Sequence, residues 1–131
     1  MSFRKVGAVI LLVNNMDNSI RFYRDTLELP VKSISAEWTE FFTSGTVLAL
    51  HPTTTKVKQS PSMLVGFMVS DLDAIATTLK KKNVKFFKEP KEESFGKHAI
   101  IEDPDGHLIS IAEIKSKLSE GFDLIGLIGA E

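Results

Sequence analysis

The chain has 131 residues, 43% of them hydrophobic and 25% charged, with a net charge of −1. That suits one ordinary domain with a real core, and leaves no charge excess to attract nucleic acid or an anionic membrane. The absence of cysteine excludes disulfides, thiolate metal sites and a cysteine nucleophile.

Residues 6–13 form an apolar, β-branched run, read as a strand buried on both faces. The run behind Arg4 and Lys5 is too short for a signal peptide and leads into Asn14-Asn15-Met16-Asp17. No segment approaches the roughly 20 apolar residues of a membrane span. A cytoplasmic location is therefore the expectation. Asn15 or Asp17 can cap the next helix, whose apolar stripe is Met16, Ile20, Tyr23 and Leu27, with Pro30 closing the region. Residues 31–34 make a weaker strand. Residues 38–43 and 46–51 flank Ser44-Gly45 as a tight hairpin.

Residues 52–63 read as a polar, Thr-rich linker. Residues 64–69 form a strand, and Asp71 caps a helix carrying Leu72, Ile75 and Leu79. Lys80-Lys81-Lys82 sits at that helix's end, where cations suit the dipole. Residues 84–87 are a strand and 88–96 a charged loop. Residues 98–102 and 107–112 form a hairpin closed by Asp103-Pro104-Asp105-Gly106. The tail, residues 115–131, carries Phe122, Leu124, Ile125, Leu127 and Ile128, more apolar surface than a free tail needs.

The second half echoes the first. Val9-Ile10-Leu11-Leu12-Val13 returns at Val65-Gly66-Phe67-Met68-Val69, an offset of 56 residues from Val9 to Val65. Ser44-Gly45-Thr46-Val47-Leu48 returns at Asp105-Gly106-His107-Leu108-Ile109, an offset of 61 from Gly45 to Gly106. An internal repeat of strand, helix and three strands fixes the architecture before any single residue is interpreted.

The opening Val13-Asn14-Asn15-Met16-Asp17-Asn18-Ser19-Ile20-Arg21-Phe22-Tyr23, with its Ser-x-x-Phe-Tyr, resembles the strand-to-helix turn of the vicinal oxygen chelate superfamily. That superfamily includes glyoxalase I, bleomycin-resistance proteins, fosfomycin-resistance enzymes, extradiol dioxygenases and methylmalonyl-CoA epimerase. Glu102-Asp103-Pro104-Asp105-Gly106-His107-Leu108-Ile109 is similar to its closing hairpin. The resemblance covers residues 5–113. It implies an α+β fold of two tandem βαβββ modules, residues 6–51 and 64–113, in a single domain of residues 1–131. It also implies a curved mixed sheet with helices on the convex side and a ligand cleft on the concave side.

The resemblance further implies a divalent metal held by four side chains, which map here to Ala8, Ala49, Leu64 and Ser110. Alanine and leucine have no lone pair to offer, and a serine hydroxyl is a poor ligand for zinc or a first-row metal. The expectation is that no metal or other cofactor is bound there. The alternative is a divalent metal at a shifted site using His51 and Glu40, which hairpin pairing should bring near each other, Glu40 across from Ala49 and Trp38 across from His51. A convincing site needs at least three protein donors. His107 is read as solvated. His98 is read as facing away from Ser110.

Strand alternation places Trp38, Glu40, Phe42 and His51 on the concave face, with Met68 and Ser110 from the second half and Phe95 on a nearby loop. This apolar, aromatic set suits a small apolar or aromatic ligand, with Trp38 and Glu40 able to hold an aromatic or cationic group. The first hypothesis is a metal-free binding protein resembling bleomycin-resistance proteins. The second is a glyoxalase-type lyase, isomerase or dioxygenase with a displaced metal. A third is a purely structural or interaction role. A homodimer is expected, with the apolar tail burying against the partner or its own body.

Overall fold

The computed structural model describes residues 1–60 and 62–115. The tail residues Phe122, Leu124, Ile125, Leu127 and Ile128, expected to dock, lie outside the described residues. The chain divides into two compact units, Met1–Gln59 with Asp103–His107, and Ser60–Glu102 with Leu108–Glu131.

The first unit contains β1 (Ala8–Val13), α1 (Met16–Ile20), a π-helical stretch (Arg21–Thr26), β2 (Val31–Ser33), β3 (Thr39–Phe41) and β4 (Val47–Pro52). The second contains β5 (Val65–Met68), α2 (Leu72–Lys81), β6 (Lys85–Glu93), β7 (Gly96–Glu102) and β8 (Leu108–Ile114). Each is a four-stranded mixed sheet. The orders are β1-β4-β3-β2 and β5-β8-β7-β6, with the first pair parallel and the rest antiparallel. The fold is α+β, two tandem βαβββ modules.

Local chemistry explains the helix starts. Asn15 has extended backbone and its side chain accepts from the Asn18 N–H at 2.9 Å, and Asp71 does the same for Ala74 at 3.1 Å. The first helix does not stay α-helical. The Leu27 N–H donates to the Phe22 carbonyl, five residues back. This wider turn shifts the helical phase, so Phe22 joins Tyr23 in the core, their rings edge to face at 5.0 Å. The expected stripe holds at Met16, Ile20 and Tyr23, while Leu27 is half-buried.

Four sequence expectations are corrected. Strand β1 is not buried on both faces: Leu11 and Val13 are in the core, but Ile10 is 49% and Leu12 47% exposed. Its one strand partner, β4, lies along one edge and the core along one face; the other face of β1 is left open at Ile10 and Leu12. Residues 88–93 are not a loop but the second half of β6. As an edge strand β6 tolerates charges and Pro90, and its pairing with β7 shifts register on both sides of Lys88. The β3–β4 connection is not a tight hairpin. It spans residues 42–46, and Phe42 (φ +75°) and Gly45 (φ +75°) both take left-handed backbone. Finally, the strand expected at residues 107–112 runs Leu108–Ile114 as β8, leaving His107 in the turn and pairing Ile114 with Gly96. Gly96 has φ +145° there, and a Cβ at that position would collide with the Glu113 carbonyl.

Candidate functional site: the open sheet face and its strap

In the first unit, the parallel and antiparallel registers set up rows across the sheet. Ile10 pairs with Ala49 and Ala49 with Glu40, and Leu12 pairs with His51. Paired residues share a face, so Ile10, Leu12, Ala49, Glu40 and His51 lie on the side opposite the core residues Leu11, Val13, Leu48, Leu50 and Phe41. Glu40 opposite Ala49, with Trp38 beside His51, is the arrangement that the hairpin spacing foretold. The Trp38 ring centroid lies 5.8 Å from that of His51 at 55°.

The polar groups on this face are already engaged. The Trp38 indole N–H donates to Glu40 Oε2 at 2.6 Å, and Lys32 Nζ lies 3.5 Å from Glu40 Oε1. The His51 Nδ1–H donates to the Glu37 carbonyl at 2.8 Å, which leaves Nε2 without its proton in the neutral ring. Phe42 does not join this set by alternation. It lies beyond the end of β3, and its positive φ breaks the two-residue period that placed it beside Glu40.

Beside the exposed Ile10 and Leu12 lies a cavity of about 300 Å³. Its walls are Ile10, Leu11 and Leu12, the strap of residues 53–58, and His107. One side chain shapes the strap. Asn14 Nδ2 donates to the Thr53 and Thr55 carbonyls at 3.0 and 2.9 Å, and Asn14 Oδ1 accepts from the Val57 N–H at 3.2 Å. Thr53 Oγ1 accepts from the Thr55 N–H, and the Thr53 N–H donates to the Val13 carbonyl. What composition marks only as a polar linker is therefore a braced wall. An Asn at the end of β1, followed by a Thr-rich linker, was the available signal.

The turn Asp103–His107 belongs to the same unit. Three possible ligand atoms, from Asp103, Asp105 and His107, converge there within 4.8 Å. Each is already used. Asp103 Oδ2 accepts from the Tyr23 hydroxyl at 2.7 Å, and Oδ1 accepts from the Asp105 and His107 N–H groups. The Asp105 carboxylate accepts from the Asn14 N–H at 3.3 Å, and the His107 Nε2–H donates to the Leu12 carbonyl at 2.8 Å. The cluster is a latch that fastens the turn to β1 and the π-helical stretch. His107, expected to be solvated, is half-buried and bonded. Burial, followed by the neighbouring Asp103, pushes the Tyr23 phenol well above its ordinary 10.0. Burial also raises Asp103 above 3.8, against the opposing pull of the Tyr23 hydroxyl and His107.

In the second unit, Ile100 pairs with Ser110 and Gly66 pairs with Ser110, while His98 and Met68 both pair with Ala112. His98 therefore shares a face with Ser110, contrary to expectation. The five-residue turn pairs Glu102 with Leu108, and that parity sets every later position. His98 Nε2 and Ser110 Oγ share a hydrogen bond of 2.7 Å, both residues being buried, and the Phe95 ring stands edge-on to His98 at 6.1 Å. Met68 lies on the same face and is 53% exposed.

The metal implied by the resemblance does not fit the residues present at its expected positions. Ala8, Ala49 and Leu64 carry no donor, and the Ser110 hydroxyl is bonded to His98. At Glu40 and His51 two donors stand without a third among the described residues.

A family model of the glyoxalase/bleomycin resistance protein/dioxygenase superfamily matches residues 5–111. The chain belongs to this superfamily. Solved structures share its fold. A glyoxalase/dioxygenase from Nostoc punctiforme is 22% identical with a TM-score of 0.72, over 86% of this chain and 92% of that one. A glyoxalase-related enzyme from Fulvimarina pelagi is 19% identical with a TM-score of 0.70, over 85% and 88%. TnmS3, an antibiotic binding protein from Streptomyces sp. CB03234, is 20% identical with a TM-score of 0.68, over 88% and 99%. A search of curated proteins finds no match. No helix among the described residues is long and apolar enough to cross a membrane.

Proposed function

We propose that this superfamily member is a metal-free small-molecule-binding protein whose first unit holds an apolar or aromatic ligand on the open sheet face. The observation that carries the reading is the exposure of Ile10 and Leu12 beside a braced cavity of about 300 Å³, the lower end of the range for small-molecule sites. Trp38 supplies a stacking surface, and Glu40 and His51 orient it. Lys32 and the Trp38 indole share the Glu40 charge, so the face favours an aromatic ligand over a strongly cationic one. The donor-poor positions Ala8, Ala49, Leu64 and Ser110 support binding without a resident metal. The antibiotic-binding neighbour offers a precedent for binding on this fold.

Thermal-shift screening against aromatic small molecules tests the reading, and hits should lose their shift in Trp38→Ala or Leu12→Asp. Elemental analysis should find no stoichiometric metal. One tightly held Zn, Ni, Fe or Mn per chain would overturn the metal-free part, and His51→Ala and Glu40→Gln would then show whether these residues bind it. We also propose a homodimer, tested by light scattering on the full chain and on a truncation after Lys115.

A further inference from the structure

We infer that the ligand of this cavity carries an acidic group, a carboxylate or sulfonate on an apolar body, with Lys56 and Lys58 as its counter-charges. The inference rests on the proposed binding role and adds the ligand's chemical class.

The cavity has two chemically different sides. Its floor is Ile10 and Leu12, large apolar side chains left about half exposed on the sheet face. Its strap side presents Lys56 and Lys58, both exposed, on either side of the half-buried Val57. Both lysines line the cavity, and the half-buried Val57 between them adds to its apolar wall. No described carboxylate pairs with either lysine. The carboxylates beside His107, Asp103 and Asp105, accept from the Tyr23 hydroxyl and from backbone N–H groups, and neither forms an ion pair with the strap lysines.

The strap is also held in place before any ligand arrives. Asn14 grips it at Thr53, Thr55 and Val57, on both sides of Lys56. A cation pair on a braced backbone loses less freedom on binding than one on a free loop. An apolar body resting on Ile10 and Leu12, with its acid toward the lysines, satisfies both sides at once. A neutral ligand leaves the lysines unused, and a cationic one meets their repulsion.

A matched pair of fluorescent probes tests this: 8-anilinonaphthalene-1-sulfonate and its uncharged parent N-phenyl-1-naphthylamine, titrated into the full chain. The sulfonate should bind more tightly. Its Kd should weaken about tenfold in Lys56→Gln/Lys58→Gln, and also as salt is raised, while the neutral probe's Kd stays put. Leu12→Asp should weaken both probes. Equal binding of the two probes, or a sulfonate Kd unmoved by the double substitution, overturns the acidic-ligand inference and leaves the binding role standing. Binding of neither probe to the unaltered chain, which should still unfold cooperatively on heating, overturns the binding role and this inference with it.

Discussion

The two units share one frame and use it differently. In the first, the row across the sheet runs Ile10, Ala49, Glu40, and in the second it runs Gly66, Ser110, Ile100. One row further on, the first unit sets its histidine on β4, at His51 beside Trp38. The second sets it on β7, at His98, over Ala112. The first unit's polar trio is half-buried, whereas His98 and Ser110 are buried, with Phe95 edge-on to His98. The connections differ as well. Residues 42–46 join a pair of strands that match over three residues, while Asp103–His107 is latched by a buried carboxylate and joins strands that match over seven. A duplicated backbone therefore does not duplicate a site. Equivalent rows leave Trp38, Glu40 and His51 half-buried in one unit and His98 and Ser110 buried in the other.

The largest effect should come at Gly96, the described glycine of positive φ whose added Cβ would meet a neighbouring backbone atom. Gly96→Ala forces a Cβ into the Glu113 carbonyl, and should cost about 3 kcal/mol in urea unfolding. Gly45→Ala in the first unit has open space around it despite its φ of +75°, and should cost only about 1–2 kcal/mol. Equal losses would mean that backbone conformation, not the collision, sets the difference.

Tyr23→Phe should come next. It removes a hydroxyl that donates to the buried Asp103 carboxylate, a loss of about 1.5–3 kcal/mol at neutral pH. The pH dependence has a definite sign. The folded state holds the Tyr23 proton above pH 10.0, where the unfolded chain releases it. This contribution is complete below pH 10.0 and is lost as pH rises beyond it. The unaltered protein should show that alkaline decline, and the Tyr23→Phe slope should be shallower. Asp103 acts in the same direction at acid pH. Burial raises its folded value above 3.8, so its protonated form favours the folded state, and stability from this group falls as pH climbs past 3.8.

Smaller again, Ser110→Ala removes the partner of His98 Nε2 in a buried setting and should cost about 1–2 kcal/mol by thermal unfolding. Trp38→Phe removes the corresponding polar contact of the first unit, the indole N–H to Glu40. At this half-buried pair it should cost less than about 1 kcal/mol, because water can replace the donor. A larger loss at Trp38 than at Ser110 would reverse the contrast between a half-buried and a buried pair.

Sequence alone determined the modules and their order. The echo at 56 and 61 residues, the caps at Asn15 and Asp71, and the alternation through β3 and β4 are local or repetitive signals that survive without knowledge of neighbours. The same local rules placed Glu40 against Ala49 and Trp38 beside His51. They failed wherever a contact distant in sequence had the deciding vote. The π-helical phase shift goes with the burial of Phe22, and the positive φ of Phe42 goes with its N–H donating to the Pro30 carbonyl. The turn parity that turns His98 toward Ser110 could not be counted until the length of the Asp103–His107 turn was known. Above all, residues 53–58 look in sequence like any polar linker. Only tertiary structure makes them a wall, because Asn14 reaches some forty residues along the chain to hold them.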